Sequence, residues 1–328
     1  MQIVCCETFG PPADLLRVEQ PIPEPRSHEV QIRVAAAGVG FVDGLMIQGM
    51  YQVKPQLPYY PGSEFAGEIS ALGADVSHLR VGQRVMGLAQ SGAYADYLCA
   101  SAQSVVPVPD KLDDATAAGF FINYATALYG LRDCGRLAHG ESVLILGAAG
   151  GVGSAAITVA KAMGAYVVAA ASTAEKRQAA LDFGADAAVD YTAPEWRDAL
   201  KTLLPDRSLN MVYDPVGGNV AEPAFRSLSP GGRFLVVGFA QGEIPRLPLN
   251  LPLLKRAAIV GVDWGGESRA NPSINAELMQ TLCAWIEEDR LACAPVTKRP
   301  MTDFQAALED QLAGRVVGKL VLTNDSVK

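Results

Sequence analysis

A strand, a glycine-rich turn and a helix follow one another directly between Glu141 and Arg177, and this stretch constrains the fold more than any other. The apolar, branched run Val143–Leu146 is typical of a buried parallel strand. Glycines follow at once, and small or apolar residues then recur at helical spacing as far as Met163. A second apolar run, Tyr166–Ala171, supplies the returning strand. The sequence therefore predicts a βαβ unit.

The turn of this unit reads A-x-G-x-x-G from Ala148 to Gly153. Glycines let the backbone turn tightly and approach a ligand closely, and the N-terminus of the next helix directs amides and partial positive charge at a phosphate. A glycine triplet alone is a weak signal. Its place between a strand and a helix favours dinucleotide binding over a purely structural turn.

The end of the second strand indicates which dinucleotide is bound. An NAD site usually carries an acidic residue about 20 residues after the glycines, where it binds the ribose hydroxyls. Here Ser172 and Thr173 follow the strand, no carboxylate appears before Glu175, and Lys176 and Arg177 come directly after it. Hydroxyls and cations suit a 2′-phosphate, so NADPH is favoured over NADH. The alternative is that the two cations only solubilise the start of the next helix.

Composition limits the classes of protein to which the chain can belong. Its 328 residues, 49% of them hydrophobic, suffice for two domains with cores of their own. The formal net charge of −8, with no run of lysine or arginine, argues against binding to nucleic acid or to an anionic membrane surface. The six cysteines form no C-x-x-C pair and the N-terminus resembles no secretory signal, so we expect a soluble, cytoplasmic protein.

The pattern of elements changes along the chain. Residues 1 to about 110 read as short strands, among them Val30–Ala35 and Ala93–Leu98, between glycine, proline and charged turns, which predicts a small, mostly β domain. Beyond it strands and helices alternate, and six strands ending with Ala257–Val262 predict a doubly wound parallel sheet. We expect an α/β protein whose C-terminal tail rejoins the first domain.

Several short motifs occur in one order: AAGVGFVD, PGSEFAG, VGQRVMG, LGAAGGVG, VYDPVGG and VVGFA. In this order they resemble the medium-chain dehydrogenase/reductase superfamily, specifically its zinc-independent quinone oxidoreductase (zeta-crystallin-like) branch. The resemblance implies a GroES-like, mostly β catalytic domain over residues 1–122 and 266–328, and a Rossmann NADP(H)-binding domain over residues 123–265. It also implies hydride transfer from NADPH, and a homodimer or homotetramer paired through the edge strand Ala257–Val262.

The resemblance leaves the substrate open, because this branch contains several kinds of reductase. NADPH-dependent reduction of quinones is the first hypothesis. The second is reduction of activated C=C bonds in enones, enals or enoyl thioesters. The third is of another class, a non-enzymatic NADPH-binding protein, since zeta-crystallin-like chains can serve as lens structural or RNA-associated proteins.

Metal ligands are missing from the motif in which zinc-dependent relatives keep them. These relatives carry G-H-E, whereas the matching residues here are Gly62, Ser63 and Glu64. None of the three histidines has a partner at metal-ligand spacing, and Cys99 stands alone where a structural site would need four cysteines. We therefore expect no metal, and substrates such as quinones whose own conjugation accepts the hydride.

The resemblance also assigns roles to individual residues. The expected cofactor-binding residues, from the pyrophosphate, 2′-phosphate and nicotinamide regions, are Thr126, Ala149, Gly150, Gly151, Val152, Ser172, Lys176, Arg177, Tyr191, Phe239 and Asn250. Phe239 also fits a core aromatic, and Asn250 a residue that caps or turns a loop.

The first domain supplies further candidates. Tyr51 matches the proton-donating tyrosine of the enoyl-thioester reductases, whereas in a quinone reductase it would serve only as a cleft wall or hydrogen-bond donor. Gly40 stands where relatives usually have an asparagine that reaches the cofactor or substrate, so that hydrogen bond is missing. Asp43, in the same loop, fits a structural role as well as a functional one.

Overall fold

The computed structural model describes residues 1–204 and 208–324, and the chain divides into two compact units. The first unit contains Met1–Ile122 together with the segment that begins at Pro295, and the second contains Asn123–Ala294. The division after residue 122 lies where the sequence analysis put it. The return to the first unit follows Ala294, instead of residue 265.

The segment that follows residue 265 belongs to the second unit because of contacts that span long stretches of sequence. Arg132 forms an ion pair of 2.9 Å with Glu277, and Arg290 Nε donates a hydrogen bond of 2.8 Å to the carbonyl oxygen of Ala162. These partners lie far apart along the chain, so local patterns gave no sign of them.

The strands and helices have the following bounds. The strands are β1 (Gln2–Cys5), β2 (Leu16–Glu19), β3 (Glu29–Val39), β4 (Glu64–Leu72), β5 (Arg84–Leu88), β6 (Tyr97–Ser101), β7 (Val105–Pro107), β8 (Ser142–Leu146), β9 (Tyr166–Ala170), β10 (Ala187–Val189), β11 (Leu209–Asp214), β12 (Arg233–Val236), β13 (Ala258–Gly261), β14 (Val296–Pro300) and β15 (Lys319–Thr323). The helices are α1 (Phe41–Ile47), α2 (Asp114–Ala118), α3 (Phe121–Leu128), α4 (Gly151–Ala162), α5 (Ala174–Asp182), α6 (Trp196–Leu203), α7 (Ala221–Ser227), α8 (Asn250–Lys255), α9 (Trp264–Ala270), α10 (Ser273–Glu287) and α11 (Phe304–Leu312). A π-helix, Tyr129–Cys134, continues α3.

The first unit is mostly β structure, as predicted. Its larger sheet has the order β14-β15-β3-β4-β5-β7, and β6 pairs with β3 beside this path. Alternate residues of β3, including Val30 and Ile32, are fully buried, which is the pattern of a strand with one face on a core. The strand predicted at Ala93–Leu98 is wrong in position, because Ala95 forms an isolated bridge with Ile3 and regular pairing begins at Tyr97.

The second unit contains the six-stranded parallel sheet that the sequence predicted. Its strand order is β10-β9-β8-β11-β12-β13, with every neighbouring pair parallel. All five residues of β8 are buried, as expected of a central parallel strand. Helices α6 and α7 pack on this sheet through Trp196, Leu200 and Phe225. The strand order, with the first strand of the unit beside the centre, confirms the doubly wound Rossmann arrangement. Within the two described ranges, no helix is long and apolar enough to cross a membrane.

Candidate cofactor site

The glycine turn joins β8 to α4 at the carboxyl edge of the parallel sheet. Gly147 has a φ of +58°, a conformation that side chains disfavour. A Cβ atom at Gly153 would lie 2.3 Å from the carbonyl oxygen of Gly147, so only glycine lets the first turn of the helix come this close to the strand end. These contacts place the start of the helix directly beside the end of the strand.

The start of α4 has the features of an anion site. Gly150 is its N-cap and Gly151 and Val152 are its first two residues, while the buried Ala149 precedes them. A helix leaves its first N–H groups without acceptors inside the helix, and the helix dipole adds partial positive charge there. The geometry therefore fits a pyrophosphate at these four residues, and their role stays a prediction.

Four further candidates lie just beyond the ends of two neighbouring strands, β9 and β10, or in the first turn of α5. Burial raises the pKa of Tyr191, and the nearby Ser172 side chain partly offsets this effect. Thr173 caps α5 by accepting a hydrogen bond of 3.2 Å from the backbone N–H of Lys176. Lys176 and Arg177 therefore lie in the first turn of α5, beside the Ser172–Tyr191 pair. The structure thus brings together the residues expected to bind a 2′-phosphate.

Asp190 belongs to this group, and the sequence analysis missed it. Its Oδ2 lies 2.8 Å from Nη1 of Arg177, and its Oδ1 accepts hydrogen bonds from the backbone N–H and the hydroxyl of Thr192, at 2.9 Å and 2.6 Å. These hydrogen bonds from Thr192, and then Arg177, hold the pKa of Asp190 below its ordinary value. The sequence offered one sign of this role, since Asp190 is an acidic residue at the end of a strand of the predicted parallel sheet.

Asp214 organises the turn after β11. It is buried, and its Oδ1 accepts hydrogen bonds from the backbone N–H groups of Val216 and Gly217, at 2.8 Å and 2.9 Å. Burial raises its pKa, partly offset by these two hydrogen bonds. Its carbonyl oxygen also accepts a hydrogen bond from the N–H of Gly238.

Phe239, which directly follows Gly238, is 38% exposed. This exposure contradicts the alternative that Phe239 is a core aromatic.

A cavity of about 430 Å³ opens at the same edge of the sheet. Tyr191 forms part of its wall, so the cavity adjoins the Ser172–Tyr191 pair. Its lining residues are Tyr191, Thr192, Ala193, Pro194, Trp196, Asn219, Val220 and Gln241.

Two candidates of the second unit lie on other helices. Thr126 is half-buried on α3, and Asn250 is exposed as the first residue of α8. The N-cap of α8 is Leu249, so Asn250 does not cap it. Cofactor contact by either residue remains a prediction.

Of the candidates of the first unit, Gly40 and Asp43 lie at the start of α1, and Tyr51 follows its end. Asp43 is buried, and its Oδ2 accepts hydrogen bonds from the N–H of Gly40 at 2.8 Å and the hydroxyl of Tyr94 at 2.9 Å. Burial raises the pKa of Asp43, against the opposite effect of the Gly40 hydrogen bond. Asp43 therefore holds the backbone from which α1 starts.

Tyr51 is partly exposed in the segment after α1. It lies directly beyond a turn that is closed by a hydrogen bond from the Met50 N–H to the Leu45 carbonyl oxygen.

Glu64 occupies the acidic position of the G-S-E motif. Its carboxylate lies 2.9 Å from Nζ of Lys319 in an ion pair whose side chains are 1% and 9% exposed. Its Oε1 also accepts a hydrogen bond of 2.8 Å from the N–H of Ile122. Across residues 1–204 and 208–324, no three histidine, cysteine or acidic side chains form a group that could hold a metal ion.

Comparison with known proteins matches both parts of the chain. Residues 26–110 match the family described as "Alcohol dehydrogenase GroES-like domain", which confirms the expected fold of the first unit, and residues 151–281 match "Zinc-binding dehydrogenase". The chain is 36% identical over 290 residues to "Quinone oxidoreductase-like protein 2" of Bos taurus, a match that covers 88% of this chain and 82% of the relative.

Two solved structures are similar over almost their whole length. The Escherichia coli quinone oxidoreductase complexed with NADPH has a TM-score of 0.89 at 27% identity, covering 98% of this chain and 100% of that one. The CurK enoyl reductase has a TM-score of 0.88 at 26% identity, covering 98% of this chain and 99% of that one.

Proposed function

This chain belongs to the quinone oxidoreductase family of medium-chain dehydrogenases/reductases, and we propose that it reduces quinones by hydride transfer from NADPH without a metal ion. The observation that carries the proposal is the glycine turn at the start of α4, with Lys176 and Arg177 beyond the end of the next strand. Similarity to a quinone oxidoreductase complexed with NADPH supports both the cofactor and the substrate class.

NADPH supplies the hydride when bound, and the chain supplies its binding groups. The start of α4 would hold the pyrophosphate, and Ser172, Lys176, Arg177 and Tyr191 would surround the 2′-phosphate. A hydrogen bond to a charged group contributes about 1.5–3 kcal/mol, so Lys176→Ala should weaken NADPH binding by about tenfold or more while NADH binding hardly changes.

Lys201→Ala is the matched control for this substitution. Lys201 lies in the same unit, on α6, and its ammonium pairs with Asp198 at 2.6 Å. Its removal should leave the affinities for both cofactors unchanged. Equal losses for NADPH and NADH in the Lys176 variant would show that the lysine does not contact the 2′-phosphate.

Reaction without a metal follows from the donors of the G-S-E motif. Ser63 stands where zinc-dependent relatives keep a histidine, and Glu64 is already bound by Lys319 and the N–H of Ile122. Dialysis against a strong chelator should therefore leave quinone reduction unchanged. Activity that is lost on chelation and restored by Zn²⁺ would contradict the proposal.

Reduction of activated C=C bonds is the second candidate function. The similarity to an enoyl reductase and the partly exposed Tyr51 favour it. Hydride addition to an enone leaves an enolate that needs a proton, and a positioned phenol typically accelerates such a step by about 10²–10⁴-fold. The oxygens of a reduced quinone exchange protons with water, so quinone reduction does not need this donor.

NADPH oxidation with quinones, enones and enoyl thioesters, in the wild type and in Tyr51→Phe, separates these functions. Tyr97→Phe removes a hydroxyl from β6 of the same unit and serves as the control. A selective loss of alkene reduction in the Tyr51 variant would identify a proton donor. If both activities survive within about threefold, below the usual range for a general acid, the donor role is wrong. NADPH binding without turnover of any substrate would support a non-enzymatic protein.

Assembly as a homodimer or homotetramer forms the last part of the proposal. Strand β13 ends the sheet order, and Ile259 within it is 41% exposed. Near it in sequence, Leu249, Leu253 and Leu254 are between 73% and 81% exposed. An exposed strand edge with apolar neighbours favours pairing with a second copy. Sedimentation at micromolar concentration should show a dimer or tetramer, and a monomer would contradict this.

A further inference from the structure

Arg177 is held by Asp190 in an ion pair that joins the first turn of α5 to the residue after β10. The distance from Nη1 to Oδ2 is 2.8 Å, and the side chains are 24% and 32% exposed. The same Nη1 donates a hydrogen bond of 3.2 Å to the carbonyl oxygen of Ala171. The guanidinium is therefore oriented by a carboxylate on one side and by the backbone after β9 on the other.

This ion pair lies among the residues expected to bind the 2′-phosphate. Asp190 directly precedes Tyr191, whose side chain lies near that of Ser172. The N–H of Ala171 donates a hydrogen bond of 3.2 Å to the carbonyl of Val189, so the two strand ends are held side by side. A negative charge is thus built into a site that would bind a negatively charged group.

We propose that Asp190 is a specificity-determining residue, which orients Arg177 but partly neutralises it and so weakens the preference for NADPH over NADH. The inference rests on the proposed function, in which Lys176 and Arg177 face the 2′-phosphate. A carboxylate beside a phosphate repels it, and both side chains are exposed enough for solvent to reduce this repulsion without removing it. The site then selects NADPH less strongly than its two cations alone would.

Asp190→Asn isolates the charge from the contacts. The amide oxygen can still accept a hydrogen bond from Arg177 or Thr192, so the strand ends remain joined while the negative charge is lost. The dissociation constant for NADPH should fall about three- to tenfold, the range that Coulomb's law gives for one charge near a phosphate dianion in a water-like medium. The constant for NADH should stay within about twofold, because NADH has no phosphate at this position.

Asp186→Asn is the matched control. Asp186 pairs with Lys161 at 2.7 Å and accepts a hydrogen bond of 2.7 Å from the N–H of Val167, but it precedes β10 and so lies at the opposite edge of the sheet. The substitution changes the net charge equally. It should leave the affinities for both cofactors unchanged.

A double-mutant cycle tests whether the effect passes through Arg177. Arg177→Gln should weaken NADPH binding more in the Asp190→Asn background than in the wild type, because the arginine has then lost its competing partner. The gain from Asp190→Asn should also shrink as ionic strength rises from about 0.05 M to 0.5 M, since salt screens exposed charges.

The outcomes distinguish this inference from the proposed cofactor site. If Lys176→Ala selectively weakens NADPH binding and Asp190→Asn leaves the ratio of the two affinities unchanged, Asp190 has only a structural role and the inference is overturned. Equal gains for NADPH and NADH, or the same gain in Asp186→Asn, overturn it as well. If Lys176→Ala weakens both cofactors alike, the proposed 2′-phosphate site itself fails.

Discussion

Replacement of Gly153 by alanine should destabilise the second unit, by an amount that follows from the turn geometry. The new Cβ would lie 2.3 Å from the carbonyl oxygen of Gly147 and 2.8 Å from Cα of Ala148, both backbone atoms that no rotamer change can move away. Ordinary contact begins at 3.4 Å, so helix and strand end must separate by about 1 Å. Such overpacking costs up to about 3 kcal/mol, and alanine regains about 1 kcal/mol of helix propensity, leaving a net loss of about 2 kcal/mol.

Tryptophan fluorescence measures this loss in the unit where it occurs. The chain has three tryptophans, Trp196, Trp264 and Trp285, and all lie in the second unit. Urea unfolding followed by their emission should show a lower midpoint with an unchanged slope. NADPH binding should weaken too, because the start of α4 is displaced from the strand end.

Gly150→Ala is the control, because it changes another glycine of the same motif. A Cβ there would lie 3.5 Å from the Gly147 oxygen, at ordinary contact, and its φ of −81° suits any residue. Its stability should stay within about 1 kcal/mol of wild type, the cost of a poorer N-cap. If Gly153→Ala is as stable as this control, the close approach does not constrain the residue and the reasoning is wrong.

Two other substitutions test buried polar groups. Asn324 Nδ2 donates hydrogen bonds of 3.0 Å to the carbonyl oxygens of Val34 and Ala95. Asn324→Ala should therefore lower the free energy of unfolding of the first unit by about 2–3 kcal/mol. Hydrogen exchange of the β3 amides measures this loss. Exchange as slow as in the wild type would contradict it. Asp214→Ala leaves the N–H groups of Val216 and Gly217 without their acceptor. It should lower the free energy of unfolding of the second unit by about 1–3 kcal/mol, measured by tryptophan fluorescence in urea. An unchanged urea midpoint would show that this turn forms without the carboxylate.

The features that the sequence predicted best are local ones. The strand, turn and helix around Gly147 follow from periodicity and glycine spacing within a short stretch. The parallel strands likewise follow from compact apolar runs, among them Val143–Leu146. Their order β10-β9-β8-β11-β12-β13 agrees with the doubly wound arrangement expected for alternating strands and helices.

The features that the sequence missed depend on contacts between distant residues. The pairing of Arg177 with Asp190 requires the register of β9 and β10, which places Ala170 opposite Val189. The pattern of charges alone identified Arg177 as a cation suited to a 2′-phosphate and gave no partner for it, because Asp190 follows the next strand. This missing partner changes the expected electrostatics of the site, and the roles of the candidate residues themselves stay a prediction.

Two carboxylates of the first unit, the buried Asp43 and the exposed Asp113, should give opposite pH dependences. Burial raises the pKa of Asp43 above its ordinary value of 3.8, despite the hydrogen bond from Gly40 and the charge of Lys319. For Asp113, hydrogen bonds from Lys298 and Thr116 outweigh the effect of burial and lower the pKa to about 2.

The sign of each effect follows from proton uptake. Above pH 3.8 the folded state holds the Asp43 proton longer than the unfolded state, so this group's contribution to stability is complete below 3.8 and is lost as pH rises through the folded pKa. The contribution of Asp113 is present above pH 3.8 and is lost as pH falls towards 2. Asp43→Asn should therefore become more stable relative to wild type as pH rises above 3.8. Asp113→Asn should be less stable than wild type above pH 3.8, and this difference should disappear as pH falls from 3.8 towards 2.

Pulsed hydrogen exchange at one fixed pH, after equilibration in urea at each test pH, measures unfolding of β3 and β4 without changes in intrinsic exchange rate. Both substitutions alter hydrogen bonds, which shifts a profile by a constant, so only the slope relative to wild type tests the reasoning. A profile of Asp43→Asn parallel to that of the wild type would mean that burial does not raise this pKa. The carboxylate would then be stabilised in its charged form by the Gly40 N–H, the Tyr94 hydroxyl and Lys319 as fully as it is in water.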